Sequence, residues 1–423
     1  MRTAFLLAWR TLLRGRFLPI LFASAALVAA FVPSLVRTDG SAAGAREMYI
    51  RAVPGCIVVI LAMAVMCAAC GHVARAREEN RLALAVVRPT AAFCEMLGIW
   101  LAYVVASALV LSATALFVYF NVPGGAIPCR HHIPPVMPSP MIAARAELAK
   151  YLADPSLPEA IRKAPRSAVL NLLASKEMDR FDTIPSKGSA EWMFPAKWAA
   201  SANLFMRARF ATQFDLRSSL CGEFSFGVSR AVITNNTQSV LDVPLVAGSR
   251  DASLNGSGLQ AAVFRNTGKE TVMLRPRRDL FLLAPADSFA ANLVRAMVQT
   301  LSGIALAAAF GLFLSSALSR PVSIFTALVL AAVIFMAPSV IEQYPGELDI
   351  ALADRIGLML SRAVYHLTSP LSDASPIADL AEDRCVEWAQ LGKAILINAV
   401  VLPAFFLSVA AFVVRHKALP DRS

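Results

Sequence analysis

Long apolar runs alternate along this chain with polar stretches, on a length scale that matches a lipid bilayer. Six runs carry almost no ionisable side chain: Phe17–Val36, Pro54–Val73, Phe93–Phe120, Asn292–Leu318, Val322–Ile341 and Ala394–Val414. About 20 mostly apolar residues cross the hydrocarbon core as a helix, and an unpaired charge at its centre costs a few kcal/mol. Glu95 and Arg295 fall at run ends, where that cost is smaller. The pattern predicts about six transmembrane helices. Ahead of the first run, Phe5, Leu6, Trp9, Leu12 and Leu13 cluster near one helical face, with Arg2, Arg10, Arg14 and Arg16 on the other. This predicts an amphipathic helix over residues 1–16, lying at the cytoplasmic interface. Basic residues before an apolar run also resemble a signal peptide, with Ala23, Ser24 and Ala25 as a weak cleavage site. The run is too long for that and five more follow, so an uncleaved anchor is expected.

The longest polar stretch, 121–291, has two textures. Residues 121–190 start proline-rich and then read as helical in "MIAARAELAKYLADP" and "RSAVLNLLASKEMDRF". Over 191–285 the period changes to two, with "NLFMRARFATQF", "GEFSFGVSRAVI", "SVLDVPLVAG", "GLQAAVFRNTG" and "TVMLRPRRDLFLLAP" as short strands between Asn, Gly and Ser turns. A small antiparallel β-sandwich fits this spacing. Its last strand runs almost directly into the fourth apolar run, a route for a change in the sandwich to reach the membrane helices. In the second polar stretch, 342–393, Glu347–Leu360 and Ala378–Leu391 read as amphipathic helices, with Tyr344 and Trp388 as interfacial anchors. The expected fold class is an all-α polytopic membrane bundle with an inserted extracytoplasmic α+β domain. In it, residues 17–120 hold spans 1–3 with an inner loop at 74–92, residues 292–341 hold spans 4–5, and 394–414 is span 6.

Orientation follows from Lys and Arg in the short loops. With the N-terminus inside, the inner segments hold Arg2, Arg10, Arg14 and Arg16, then Arg75, Arg77, Arg81 and Arg88, then Arg320, and in the tail 415–423 Arg415, Lys417 and Arg422. The opposite short loop holds Arg37, Arg46 and Arg51. The bias puts both termini in the cytoplasm and 121–291 and 342–393 outside.

Composition agrees: 57% of residues are hydrophobic and 16% charged, against about 45–50% and about 25% in soluble domains. The net charge of +11 sits mostly in the outer part, where residues 121–285 hold 20 Lys and Arg against 13 Asp and Glu. No basic helix or aromatic nucleic-acid signature accompanies it, so an anionic envelope polymer or lipid head group is the better partner and nucleic acid is not expected. Of seven cysteines, Cys56, Cys67, Cys70 and Cys94 lie in or beside apolar runs. Cys129, Cys221 and Cys385 lie in polar stretches, so at most one disulfide is expected, with Cys129 to Cys221 as a candidate.

Catalytic motifs are missing from the sequence. There is no phosphate-binding G-x-x-x-x-G-K-[ST] loop, no H-E-x-x-H and no G-x-S-x-G. Cys129, His131 and His132 lack a second ligand cluster and read as loop residues, so no metal is expected. Cys67 and Cys70 have dithiol spacing but read as packing residues. Asn235-Asn236-Thr237 and Asn255-Gly256-Ser257 match glycosylation sequons and equally suit turns.

The informative stretch is the inner loop. Arg75, Arg77, Glu78, Glu79 and Arg81 crowd one short helix whose Leu82, Leu84, Val86 and Val87 cannot all face water, so a partner surface or the bilayer must cover them. Arg77-Glu78-Glu79-Asn80 followed by "LALAVVRPTAAFCEMLGIWLA" resembles the coupling region of type-2 ATP-binding-cassette permeases. The amphipathic N-terminal helix, "FGLFLSSALSRPVSIF" across a short inner turn and "VVRHKAL" after the last run fit the same pattern. Asn80 stands where a glycine is usual, and Ile99-Trp100 where a lysine often stands.

The resemblance covers roughly the membrane half of the chain. It implies a permease subunit in the bacterial cytoplasmic membrane, binding no cofactor itself. ATP and magnesium would be used by a separate ATPase, and a second permease chain, identical or different, would complete the pathway. The coupling residues it implies are Arg77, Glu78, Glu79, Asn80, Leu84, Arg88 and Pro89, and no catalytic residue is implied in this chain. A second reading, from a different class, is a membrane-anchored envelope binding or assembly protein whose outer sandwich uses Arg275, Arg277 and Arg278 to hold an anionic ligand. The alternative for those arginines is a solvated sheet edge, where basic residues deter strand pairing. An ion-coupled carrier ranks last, because carboxylates and histidines are missing from the middle of the runs.

Overall fold

The structure is a computed structural model that describes residues 1–35, 42–78, 89–152, 166–178, 180, 182–198, 203–212, 220–226, 229–236, 240–245, 258–343, 359 and 375–418. The helices in chain order are α1 (Arg2–Arg14), α2 (Phe17–Leu35), α3 (Ala42–Glu78), α4 (Pro89–Asn121), α5 (Pro140–Leu152), α6 (Arg166–Met178), α7 (Phe289–Ala317), α8 (Arg320–Gln343), α9 (Pro376–Ala381) and α10. The last runs from Trp388–Ala394 through a π-helical stretch, Ile395–Val401, into Leu402–Ala418. The chain divides into two compact units, one of Met1–Cys129, Asp287–Pro338 and Leu360–Ser423, the other of Arg130–Ala286 and Ser339–Met359.

The first unit is a helical bundle. Among the described residues, five helices are long and apolar enough to cross a membrane: α2, α3, α4, α7 and α10. The chain is therefore a multi-pass membrane protein by its helices. The fifth predicted run, Val322–Ile341, falls within α8, where Arg320–Ala332 forms a shorter apolar helix among the described residues. The α3 and α7 axes meet at small residues: a Cβ on Gly311 would lie 2.8 Å from the Met66 carbonyl oxygen and 2.9 Å from Ala69 Cβ. Close backbone approach of this kind is how membrane helices gain packing where lipid supplies no hydrophobic drive. Polar ties add to it. The Ala74 N–H donates to Ser315 Oγ at 3.0 Å, Ser323 Oγ donates to the Cys70 carbonyl at 3.2 Å, and Trp100 Nε1 donates to the Ala305 carbonyl at 2.8 Å.

Sequence and structure differ at three places in this unit. No separate short helix starts at Arg75, because α3 continues unbroken through Glu78. Pro89 opens α4, in the first turn where its missing N–H costs nothing. The predicted helix Ala378–Leu391 is interrupted: α9 stops at Ala381, Asp383 adopts a left-handed φ of 59°, and helix resumes at Trp388. The break holds because other elements take its polar groups. Arg46 Nη2 meets Asp383 Oδ2 at 2.8 Å with both side chains buried. Asn292 donates to the Arg384 carbonyl and accepts from the Val386 N–H, each at 2.8 Å. Glu347–Leu360 lies outside the described residues apart from Met359.

The second unit contains three antiparallel sheets. One has the order β1 (Arg130–Ile133), β11 (Leu280–Pro285), β4 (Leu204–Arg209), β8 (Val240–Leu245). Another runs β3 (Ser189–Pro195), β9 (Leu259–Asn266), β6 (Leu220–Phe226), β7 (Ser229–Asn236). A three-stranded sheet joins β2 (Asp182–Ile184), β10 (Val272–Leu274) and β5 (Ala211–Thr212). Strict alternation puts Leu220, Phe224 and Phe226 of β6 inward. There they join Phe264, Phe194, Met206 and Leu282 in one core shared by all three sheets. The predicted strand "TVMLRPRRDLFLLAP" is two strands in different sheets, separated by a helical turn, Pro276–Asp279. Pro276 cannot donate to a ladder, which ends β10 at Leu274. Apart from the sheets, α5 and α6 form a helical pair over Ala144, Val169 and Leu173.

Asp242 links three strands of the first sheet. It accepts from Arg207 Nε and Nη2 at 2.7 and 2.8 Å and from Arg130 Nη1 at 3.2 Å. Burial alone would raise its pKa, but the Arg207 hydrogen bonds and the Arg207 and Arg130 charges outweigh burial and hold the carboxyl below its ordinary value. A depressed carboxyl stabilises the fold above the pKa of the unfolded chain and loses that contribution as pH falls through its folded pKa. The full chain is therefore expected to lose about 1 kcal/mol of second-unit stability on acidification below about pH 4. Asp242→Asn, measured by thermal unfolding against pH, should flatten that dependence.

Candidate functional site

At one end of the helical bundle, α3 stops at Glu78 and α4 starts at Pro89. Here the chain brings together α1, the last turns of α3, the first turns of α4 and Arg320 at the α7–α8 turn around a cavity of about 360 Å³. Its polar lining is Thr11, His72, Arg75, Glu95, Tyr103 and Arg320, with Cys67 beside them. His72 Nδ1 and the Tyr103 hydroxyl are 3.3 Å apart, and their rings meet edge to face. Arg320 lies flat on α3, where only the absent side chain of Gly71 leaves room: a Cβ there would be 3.3 Å from Arg320 Nε. Arg75 and Arg320 are exposed, so the rim carries two guanidinium groups while the wall carries one carboxyl, Glu95.

The α1 helix is built to cover this cavity. Ala8 and Leu12 are buried, Phe5 and Trp9 pack partly against the bundle core with stacked rings 6.2 Å apart, and the arginines point outward. Leu6 and Leu13, predicted on the same apolar face, are instead exposed, as is Leu7. The seat for α1 on α4 is Gly98, where a Cβ would lie 2.8 Å from the Met1 carbonyl oxygen and 3.0 Å from the Phe5 nitrogen. Gly98→Val should therefore displace α1 while leaving the α3–α7 contact intact. Proteolysis within residues 1–16 should quicken at least several-fold, with little change in the unfolding midpoint.

Of the predicted coupling residues, Arg77 and Glu78 form the last turn of α3 and Pro89 the first residue of α4. Glu79, Asn80, Leu84 and Arg88 lie outside the described residues. The structure brings Arg75 and Ala76, in the last turn of α3, and Glu95 of α4 to the cavity. His72, Glu95, Tyr103 and Arg320 were not picked out by their spacing, since they converge from three separate stretches of sequence.

The predicted anionic-ligand patch looks different in three dimensions. Arg275 Nε pairs with Asp279 Oδ2 at 2.8 Å, and Arg277 donates to the Pro138 carbonyl. Both bonds hold the turn between β10 and β11, and Arg278 follows in the same turn. His131 and His132 on β1 rest against Trp198 and Phe281, with ring centroids 5.7 and 5.5 Å apart. Among the described residues, no group of three or more His, Cys, Asp or Glu side chains is placed to hold a metal ion. Cys70 is buried and donates to the Ser323 carbonyl at 3.7 Å. Asn235 and Asn236 end β7, while the 255–257 sequon lies outside the described residues. None of the seven cysteines is bonded to another in the structure, and Cys129 and Cys221 belong to different units. No family model matches the chain, and no curated protein or solved structure matches it.

Proposed function

We propose that this chain is the membrane-spanning permease half of an ATP-driven transporter, with six spans and both termini in the cytoplasm of a bacterial cell. A separate ATPase subunit docks on the loop between α3 and α4. A second permease chain completes the pathway, and ATP and magnesium act in the partner.

One observation supports this reading above the others: α1, the last turn of α3 before the 79–88 loop, Glu95 of α4 and the α7–α8 turn meet around one cavity with charged groups at its rim, at one end of the bundle. A force on the loop acts on α3 and α4 together. The Ala74–Ser315, Cys70–Ser323 and Trp100–Ala305 hydrogen bonds pass it to α7 and α8. The exposed Leu6, Leu7 and Leu13 offer apolar surface beside the loop for the same partner or for the bilayer interface. Arg75 and Arg320 suit the head-group level on the cytoplasmic side.

The binding-protein alternative has less support, because Arg275 and Arg277 are engaged within their own unit.

The test is to purify the chain gently from its native membrane and ask what accompanies it. A nucleotide-binding subunit should co-purify, and Glu79→Arg should lower ATP-coupled activity about tenfold or more while leaving the unfolding midpoint of the spans unchanged, as expected for a lost charge-paired contact at an interface. Absence of any such subunit, or unchanged coupling in Glu79→Arg, would count against the proposal.

A further inference from the structure

At the other end of the bundle, Cys129 is fixed by Asp287, whose carbonyl accepts both the Cys129 N–H at 2.9 Å and its thiol at 3.2 Å. Buried Arg295 holds the same Asp287 through its carboxylate and, with its other nitrogen, donates to the Val386 carbonyl at 3.0 Å. Asn292 clamps the backbone on both sides of Cys385, through the Arg384 carbonyl and the Val386 N–H. Asn292 and Arg295, one turn apart on α7, therefore hold the surroundings of two cysteines 256 positions apart in the chain, Arg295 acting on Cys129 through Asp287. The Cys385 thiol faces the same Val386 carbonyl that Arg295 holds, at 3.9 Å, and lies close enough to interact with the Cys129 thiol; both residues are buried.

We propose that Cys129 and Cys385, and not Cys129 and Cys221, form a disulfide in the mature protein. It staples the segment leaving α4 to the 382–387 turn that seals α3 and α7. The inference rests on the reading above that places both segments outside the cytoplasm, where disulfides persist. The co-reactant is an oxidised dithiol of that compartment. One cysteine thiolate attacks a sulfur of its disulfide, forming a mixed disulfide and releasing one thiolate. The second cysteine attacks the cysteine sulfur of the mixed disulfide, forming the Cys129–Cys385 bond and releasing the other thiolate. The two electrons and the two protons of the cysteines end on the partner, which leaves as a dithiol.

In the packed state burial pushes the Cys129 thiol up to about 12. The thiolate is the attacking species, so the exchange belongs to assembly, before residues 122–129 settle against Asp287. Once formed, the bond closes a ring that includes the whole second unit.

The experiment uses the full chain in its native cells. Thiols are blocked with N-ethylmaleimide, and the membranes are then solubilised and digested without reductant. Mass spectrometry should find a linked peptide pair containing Cys129 and Cys385. On a non-reducing gel the wild type should migrate faster than its reduced form. Cys129→Ser and Cys385→Ser should each abolish that difference, and Cys221→Ser should keep it. Recovery of both cysteines as alkylated peptides, or a Cys129–Cys221 link, overturns the staple. A parallel arm labels Lys269→Cys, on an exposed turn of the second unit, with a membrane-impermeant maleimide in intact cells. Labelling with free Cys129 and Cys385 refutes the staple alone, while no labelling refutes the topology as well.

Discussion

Arg46→Met is expected to destabilise the helical unit by about 3–5 kcal/mol, because it removes the buried guanidinium that pairs with the Asp383 carboxylate. Arg46 and Asp383 are 2.8 Å apart, with side chains 8% and 5% exposed. Removing one partner of a buried pair takes away its compensation and keeps the other charge, whereas neutralising both removes the charge as well. Arg46→Met with Asp383→Asn should therefore recover most of the loss, and Asn is suited to the left-handed conformation at 383. Arg51→Met, which breaks the half-exposed contact to Glu382, should cost no more than about 0.5 kcal/mol. Unfolding midpoints of the three variants in one detergent check this. A single Arg46 variant as mild as Arg51→Met would show that the 382–387 turn does not seal the bundle.

The second large effect is expected at the α3–α7 crossing. Gly311→Val places a side chain against the Met66 carbonyl and Ala69, both too close to admit one. Backbone on one side and a Cβ on the other cannot swing away, so the helices must part. Overpacking of this kind costs about 1–3 kcal/mol or more, and here it also pulls the Ser315 and Ser323 hydrogen bonds out of register. Gly55→Ala is the control. Nothing lies within 4 Å of its new Cβ, so it should be neutral or slightly stabilising. The fraction of monodisperse protein after heating separates the two, and equal behaviour would contradict the close crossing.

The long helices were legible in the sequence because a span is a property of one continuous run. Residues 17–35 and 93–120 carry their own evidence, and so does the facing of Phe5, Trp9 and Leu12 on α1. The alternation of β6 is local too, but "GEFSFGVSRAVI", which reads as one strand, holds parts of two, β6 and β7, paired antiparallel. What stayed hidden is what depends on distant partners. The Ala378–Leu391 pattern is amphipathic enough for a helix, yet Arg46 and Asn292, 337 and 92 positions from their partners, hold its middle open. Pairing of β1 with β11 matches Arg130 to Pro285, and no local signal marks residues 130–133 as a strand. At 275–279 the alternation looked continuous, but Pro276 and the Arg275–Asp279 pair turn the chain into a different sheet. The candidate cavity is of the same kind. The sequence pointed to the loop between α3 and α4, but His72, Tyr103, Glu95 and Arg320 become neighbours only once α1 and α8 are in place.

The side of the membrane on which residues 79–88 lie decides the account most directly. Asn80→Cys would be probed with a membrane-impermeant maleimide, and the label on the peptide carrying residue 80 read by mass spectrometry in intact cells and in inverted vesicles. Labelling in inverted vesicles alone is the predicted result, because a cytoplasmic ATPase must reach this loop. Labelling in intact cells would put it beyond any such motor and contradict the proposed function.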